Sequence, residues 1–287
     1  MTSLSRQLES LASATSAQLT VEAQHPSLLF ERKEAAALDR ETVHKIGATG
    51  FAQLLKIDAA FAADEELFDE TSIELQRLQM TADASSALND RVYRFLARLS
   101  PYLQHFAAQQ ALEWLIFKFH IHSHCAEFLL INFLPFHESN IYGRLLGTLQ
   151  YNFVASKDFG FLKEFAKRKQ HLPFPTLVKA ALAGSHSLLS RVIAHLERCV
   201  ELVGEDYLET KASLHFTFLA KLLLETLNPT NPIDDALLAK IVPVVANGIR
   251  SKLSSLRYAS LMVVCQLALS AKLTPAVVNS LLKLLIM

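Results

Sequence analysis

The sequence predicts an all-α fold, an α-solenoid built from HEAT-like helical hairpins. Apolar residues make up 51% of the 287 positions, and along many segments they recur at the spacing of a helix face. Only eight Gly and nine Pro are present, few for the tight turns of a β-rich fold. Pairs of predicted helices recur roughly every 40 residues, close to the HEAT period. An irregular helical bundle is the alternative architecture.

The first part of the chain contains the less regular helical segments. Leu4, Leu8 and Leu11 lie on one face of a predicted N-terminal helix. A second helix is expected to follow Asp39, because Asp accepts hydrogen bonds from the free N–H groups of a helix start. Asp58 predicts the start of a short third helix in the same way.

The following segments are predicted from composition and periodicity. Residues 64–80 indicate a loop followed by a helix, and residues 81–86, which are small and polar, indicate a link. From Leu88 the helical pattern is regular, and Ser100-Pro101 ends one helix and begins the next. Further helices are expected at residues 106–119, 126–134, 138–149, 159–169, 176–183, 187–203, 207–227, 234–249, 253–271 and 275 to the end.

These helices suggest one domain. We expect residues 1–287 to form a single helical domain, with a sub-boundary near residues 81–87. The last residues form an apolar helix without a polar closing turn, whereas solenoids need polar terminal repeats for solubility. The pattern predicts that the chain is the N-terminal piece of a longer solenoid.

Charge is balanced in total but unevenly distributed. Lys plus Arg and Asp plus Glu each total 28, so no overall positive field attracts nucleic acid. Nine acids and one base lie between Asp58 and Asp90, whereas eight bases and three acids lie between Lys157 and Arg198. This asymmetry indicates either surfaces that orient a partner or ordinary solvated helix faces.

Cysteine usage and hydropathy bear on the compartment. Cys125, Cys199 and Cys265 are far apart and lie in apolar helical contexts, which predicts reduced buried thiols and an intracellular protein. The first ten residues contain no apolar signal segment, and the longest apolar runs fall short of the ~20 residues that span a bilayer. We expect neither secretion nor a membrane span.

A group of histidines near the middle of the chain suggests a metal site. His120, His122, His124 and Cys125 lie close together in sequence, and imidazole and thiolate are common zinc ligands. On a helix, however, His122 points away from the other two histidines, and no HExxH motif is present. In an extended segment the histidines would share one side. A surface metal site is therefore the alternative to histidines packed at a helix end.

The sequence contains no recognisable catalytic motif. Cys125 and His124 are neighbours, and neighbours do not face each other on a helix. The chain has no GxSxG elbow, no GxxxxGK[ST] loop and no GxGxxG motif. We therefore expect no enzyme, no catalytic, cofactor-binding or metal-binding residue, and no small-molecule substrate.

One short cluster of bases is a candidate RNA or partner surface. This basic patch consists of Lys163, Lys167, Arg168 and Lys169. Phe161 and Phe165 lie four residues apart within it, so they are expected to face the core rather than stack on bases. Because one cluster supplies few phosphate contacts, direct RNA binding is the alternative to a solvated helix face.

Seven short strings occur in the same order as in a known family. They are SLLF (27–30), KEAA (33–36), DR (39–40), IGATG (46–50), LSPY (99–102), EWLIFKFHIH (113–122) and LPFHE (134–138). Residues 1–149 resemble the N-terminal region of the HEAT-repeat-containing U-three small nucleolar RNA-associated family, and the remainder is similar in helical pattern.

The resemblance implies an α-solenoid that acts as a non-enzymatic nucleolar scaffold in the UtpA (t-UTP) subcomplex of the small-subunit processome. It also implies WD40-containing partner subunits, and a link through that complex to the 5′ external transcribed spacer of pre-ribosomal RNA. No catalytic or metal residue is implied. The matched residues carry over as a structural signature: Trp114, His120, His122, Pro135, His137 and Glu138.

Overall fold

The computed structural model describes residues 26–271 and 273–286, and every regular element in these ranges is helical. The α-helices α1 to α17 are Arg32–Ala35, Arg40–Ile57, Thr71–Glu74, Ala82–Leu99, Phe106–Phe119, Ile121–His124, Ala126–Asn132, Asn140–Leu146, Tyr151–Val154, Lys163–Arg168, Phe174–Leu182, Ser187–Val203, Glu205–Thr210, Leu214–Thr226, Asp235–Arg250, Ser254–Ser270 and Pro275–Ile286. The predicted all-α, HEAT-like solenoid class is confirmed. The predicted helix through Leu4, Leu8 and Leu11 lies outside the described residues.

Side-chain caps fix several helix starts. Asp39 accepts a hydrogen bond from the Thr42 N–H at 2.7 Å, which confirms the predicted cap of α2. Asp234 accepts from the Leu237 N–H at 2.7 Å and caps α15. Asp58 is also a cap, but the element that follows it is a 3-10 helix, Ala59–Leu67, rather than an α-helix.

Three segments differ from the prediction. Residues 81–86 are not a link, because Thr81 accepts from the Ala84 N–H and begins the long helix α4. Residues 64–80 contain the end of the 3-10 helix, the four-residue α3 and a second 3-10 turn, instead of a loop and one helix. The segment 207–227 is interrupted at 211–213, so that α13 and α14 are separate helices.

The chain divides into two compact units that alternate along the sequence. Among the described residues, the first contains residues 26–80 and 105–121, and the second contains residues 81–104, 122–271 and 273–286. The first division therefore falls at residue 80, next to the sub-boundary expected near residues 81–87. The assignment of residues 1–287 to one HEAT-like domain stays a prediction.

The first unit is built on the close pairing of α2 and α5. A Cβ atom on Gly47 would lie 2.3 Å from the Trp114 Cβ, and one on Gly50 would lie 2.5 Å from the Ala107 carbonyl oxygen. Neither distance leaves room for a side chain, so glycine at both positions allows the two helices to approach.

In the second unit, α4 packs against α7 and α12, α11 packs against α14, and α16 contacts both α14 and α15. The helices from α6 to α11 are short, from four to nine residues. Pro135 lies in a 3-10 turn and Gly160 begins another, and both turns interrupt this stretch.

Apolar side chains line an exposed face of α16. Tyr258, Met262 and Leu269 are 64, 55 and 79% exposed, and their spacing places them on one side of the helix. Cys265 lies on the same side and is exposed, so the expectation of three buried thiols was wrong for this residue. Cys125 and Cys199 are buried as expected.

Candidate interaction site

Trp114 lies at the centre of the first unit. Its side chain is completely buried, and its indole N–H donates a hydrogen bond to the Leu67 carbonyl oxygen at 2.8 Å. The His44 ring meets the indole edge to face, with 4.8 Å between ring centroids. The residue therefore joins α5 to α2 and to the 3-10 helix before α3.

Glu113 has a structural role that the sequence did not reveal. Its carboxylate is 3% exposed and accepts hydrogen bonds from the N–H groups of Leu28, at 2.8 Å, and Leu29, at 3.0 Å. The strings SLLF and EWLIFKFHIH, 85 positions apart, are thus tied together inside one unit. In the sequence, the only indication of this contact was an acid among apolar residues, because a buried carboxylate needs hydrogen-bond donors.

The central histidines are divided between different local structures. His120 ends α5 in the left-handed conformation, with φ 48° and ψ 43°, whereas His122 is buried in the short helix α6 and His124 is exposed. Across residues 26–271 and 273–286, no group of three or more His, Cys, Asp or Glu side chains is arranged to hold a metal ion.

In the second unit, the LPFHE string is held by two contacts between His137 and Leu172. The Leu172 N–H donates to the His137 carbonyl oxygen at 2.7 Å, and the His137 Nδ1 lies 2.7 Å from the Leu172 carbonyl oxygen. Burial lowers the pKa of His137, which favours the neutral ring in this position. The string is therefore a fixed part of the second unit.

The strings LSPY and LPFHE meet at a groove of about 790 Å³ in the second unit, which we call the charged groove. Pro101 and Pro135 line it together with residues of α14. Glu138 and Lys221 are exposed charges of opposite sign on its walls, and His137 lies buried against the Phe218 ring, 6.0 Å between centroids. A groove of this composition suits a protein segment with both apolar and charged side chains.

The basic patch lies on α10 and the residue that follows it. All four members, Lys163, Lys167, Arg168 and Lys169, are exposed. Lys163 lies 5.4 Å from the centroid of the Tyr151 ring, and a hydrogen bond with the Tyr151 hydroxyl raises the pKa of this lysine.

The surroundings of the basic patch reduce its free positive charge. Arg168 lies 3.9 Å from the Glu164 carboxylate one turn away. Phe161 and Phe165 are half-buried, whereas Leu162 and Ala166 are the buried positions, so the expectation that the two phenylalanines face the core was only partly right. The patch is therefore an exposed cationic surface in which Arg168 is paired with an acid of its own helix.

Arginines elsewhere in the basic stretch are already paired with acids. Arg191 contacts the carboxylates of Glu127 and Asp158, the latter at 2.7 Å. Arg198 lies 2.9 Å from Asp90 and forms a second pair with an acid on its own helix. The excess of bases in the sequence from Lys157 to Arg198 therefore does not translate into an equal excess of positive surface.

The second unit also buries His195 and His215, which the sequence did not single out. His215 Nε2 lies 2.9 Å from Ser100 Oγ, and His195 Nε2 lies 3.3 Å from Asn132 Oδ1. Burial lowers the pKa of His215 to about 4 and places that of His195 well below its usual value. Both rings are therefore neutral at physiological pH.

Cys199 beside His195 is a Cys–His contact, but it lacks the properties of a catalytic pair. The Cys199 Sγ lies 3.3 Å from the His195 Nε2, and burial raises the pKa of the thiol to about 12. Nucleophilic cysteines have lowered pKa values and access to substrate, and this side chain is 1% exposed. The contact is part of a packed interior.

Comparison with known proteins places these features in a family. The chain is 43% identical over 287 residues to the HEAT repeat-containing protein 1 homolog of Caenorhabditis elegans, an alignment that covers 99% of this chain and 17% of the relative. The chain belongs to the HEAT repeat-containing protein 1 family. The human HEAT repeat-containing protein 1 is 33% identical over 290 residues, covering 98% of this chain and 13% of the relative.

Fungal members of the family have a second name. The U3 small nucleolar RNA-associated protein 10 of Aspergillus oryzae is 28% identical over 299 residues, covering 98% of this chain and 16% of the relative. The similarity thus extends beyond residue 149, where only a shared helical pattern was expected. The chain spans less than a fifth of the length of these relatives.

No protein-family model matches the chain. Within the described part of the chain, none of the helices has both the length and the hydropathy needed to cross a membrane.

Proposed function

We propose that this chain is a non-enzymatic scaffold segment of the nucleolar small-subunit processome. In this role it docks subunits of the UtpA (t-UTP) subcomplex for the transcription and processing of pre-ribosomal RNA. The observation that carries the proposal is the similarity over nearly the whole chain to HEAT repeat-containing protein 1 and to relatives named for their association with U3 small nucleolar RNA. These names support a role in ribosome biogenesis and a nucleolar location.

The structure of the second unit supports docking of protein. Stacked helices bind partners through grooves and ridges, and the charged groove offers prolines, a buried aromatic wall and charges of both signs. We propose WD40-containing UtpA subunits as the partners. Contact with the 5′ external transcribed spacer is proposed to be made through the complex, and the chain is proposed to be the N-terminal part of the scaffold.

The test is a pull-down of purified UtpA subunits, one at a time, with the 287-residue chain. We expect at least one subunit to bind. Reversal of both charges of the groove, Glu138→Lys with Lys221→Glu, is expected to weaken that binding about tenfold or more, because the charges would face like charges on the partner. Glu225→Lys, an exposed acid on α14 outside the groove, is the control. Absence of binding to every subunit would contradict the proposal.

The alternative function is direct binding of pre-ribosomal RNA through the basic patch. The exposed Tyr151 ring beside Lys163 favours it, because an aromatic next to cations can stack on an unpaired base. The variant Lys167→Glu, Arg168→Glu, Lys169→Glu distinguishes the two functions. If the patch binds RNA, the unmodified chain binds a 5′ external transcribed spacer transcript in a salt-dependent manner, and this variant abolishes that binding. If the scaffold proposal is correct, partner pull-down is unchanged.

A further inference from the structure

A second cavity in the second unit has a different chemical character from the charged groove. It has a volume of about 240 Å³ and lies among α12, α14 and α15. Leu196, Phe216, Leu219 and Leu253 are buried and form its floor. Half-buried aliphatic side chains form its walls, so an apolar group that enters the cavity loses contact with water on most of its surface.

The rim of this cavity is acidic. Glu197 on α12 and Glu205 at the start of α13 both line it and are exposed, and no Lys or Arg lines it. In the described ranges neither carboxylate forms an ion pair, whereas the neighbouring Glu201 is paired with Arg198 at 3.0 Å. Two carboxylates without cationic partners beside an apolar cavity create a negative potential at its mouth.

Size and charge limit what the cavity can hold. Its volume is below the roughly 300–1,000 Å³ of typical small-molecule sites, but it is suited to a single large apolar side chain. The carboxylates repel phosphate groups, which argues against RNA or a lipid headgroup. A cation close to the apolar group would gain the electrostatic complementarity that the rim offers.

We propose that this cavity is an anchor site for a partner-protein segment that carries a large apolar residue within one helical turn of a Lys or Arg. The apolar side chain fills the floor at Phe216 and Leu219, and the cation lies between Glu197 and Glu205. This inference rests on the proposed docking function only in requiring a protein partner. The site is separate from the charged groove and from the basic patch.

The test starts with selection of short random peptides displayed on phage against the 287-residue chain. We expect the selected peptides to contain an apolar residue adjacent in space to a Lys or Arg. Synthetic versions are then measured by fluorescence anisotropy. The double variant Glu197→Lys with Glu205→Lys is expected to lower the affinity for these peptides about tenfold or more. Glu164→Lys with Glu225→Lys changes the net charge equally at exposed positions outside the cavity, and it should leave the affinity unchanged.

A second variant tests the apolar part of the site without changing charge. Val244→Phe places a larger side chain at the cavity wall. This substitution is expected to lower the affinity for the same peptides about tenfold. Thermal unfolding of each variant shows whether the fold is retained. Failure to select peptides, selection of peptides that lack the expected pattern, or equal affinity for a folded double variant would overturn the anchor site. Such a result would not contradict the scaffold proposal, which is tested by pull-down of UtpA subunits and by reversal of the charges in the charged groove.

Discussion

At the scale of single residues, the family strings encode packing. Within the first unit, the Trp114 indole donates to the Leu67 carbonyl, the Glu113 carboxylate accepts from the Leu28 N–H, and Gly47 leaves room for the Trp114 side chain. Their partners lie tens of residues away in the sequence. The family resemblance therefore marked Trp114 as part of a structural signature, whereas the carboxylate contact of Glu113 with Leu28 could not be predicted from local pattern.

Replacement of Trp114 tests this structural role. Because the side chain is completely buried, Trp114→Ala should lower the free energy of unfolding by about 3–5 kcal/mol. Denaturant unfolding followed by circular dichroism measures the change. Phe106→Ala on the same helix is the control, since Phe106 is 62% exposed and its loss should cost little. A Trp114→Ala protein of normal stability would show that this role is misassigned.

The buried histidine His215 predicts loss of stability in acid. Its folded pKa is about 4, below the ordinary value of 6.5, so between these pH values the unfolded chain binds a proton that the folded chain does not. The contribution of the neutral His215 ring to the free energy of unfolding is constant above about pH 6.5. It is lost as the pH falls toward 4, and the total loss is about 3 kcal/mol.

The variant His215→Gln isolates this effect. Gln retains a polar group near Ser100 but does not titrate, so the free energy of unfolding should fall less steeply between pH 6.5 and 4 than in the wild type. Urea unfolding at several pH values measures the slope. Identical slopes for wild type and His215→Gln would contradict the assignment.

At the scale of elements, local chemistry predicted helices well where caps and periodicity agreed. The bounds of Phe106–Phe119 and Ser187–Val203 match the predicted ranges. Residues 81–86 were misread because small polar residues also begin helices when a Thr cap precedes them. The separation of α13 from α14 at 211–213 was missed because helical periodicity continues across the interruption.

Close approach of α2 and α5 gives a prediction for Gly50. A Cβ at this position would lie 2.5 Å from the Ala107 carbonyl oxygen, which belongs to backbone and cannot rotate away. Gly50→Ala should therefore destabilise the protein by about 1–3 kcal/mol, despite the higher helix propensity of Ala. Thermal unfolding is the measurement. Gly160→Ala is the matched control, because nothing lies within 4 Å of its Cβ position. An equal effect of both substitutions would refute the close-packing account.

At the scale of the whole chain, composition and spacing predicted the all-α class, and the family strings predicted the family. The buried pair of His195 and His215 and the acidic cavity were not predicted, because each depends on how neighbouring helices pack and not on a pattern within one helix. The uneven charge of the sequence did not predict the charge of the surface well, because Arg191 and Arg198 pair with acids that are distant in sequence.

The exposed face of α16 predicts the solution behaviour of the isolated chain. Because Tyr258, Met262 and Leu269 form an uncovered apolar stripe, the chain should self-associate as its concentration rises. Met262→Lys with Leu269→Lys should reduce that association, as measured by sedimentation velocity over a range of concentrations. Exposed polar positions of another helix, changed to Lys as a control, should leave it unaltered. A wild-type chain that stays monomeric at every concentration would refute this prediction.

The alternation of the two units along the chain has a consequence for synthesis. Residues 26–80 leave the ribosome before α4, which belongs to the other unit, and they lack Trp114 and Glu113 until α5 follows. The first unit therefore cannot close before α5 has left the ribosome. When α5 leaves the ribosome and completes this unit, α4 has already left it. A fragment that contains residues 26–80 and ends before residue 105 would lack Glu113 and Trp114. The Leu28 N–H and the Leu67 carbonyl would then lose the hydrogen-bond partners that the complete chain supplies.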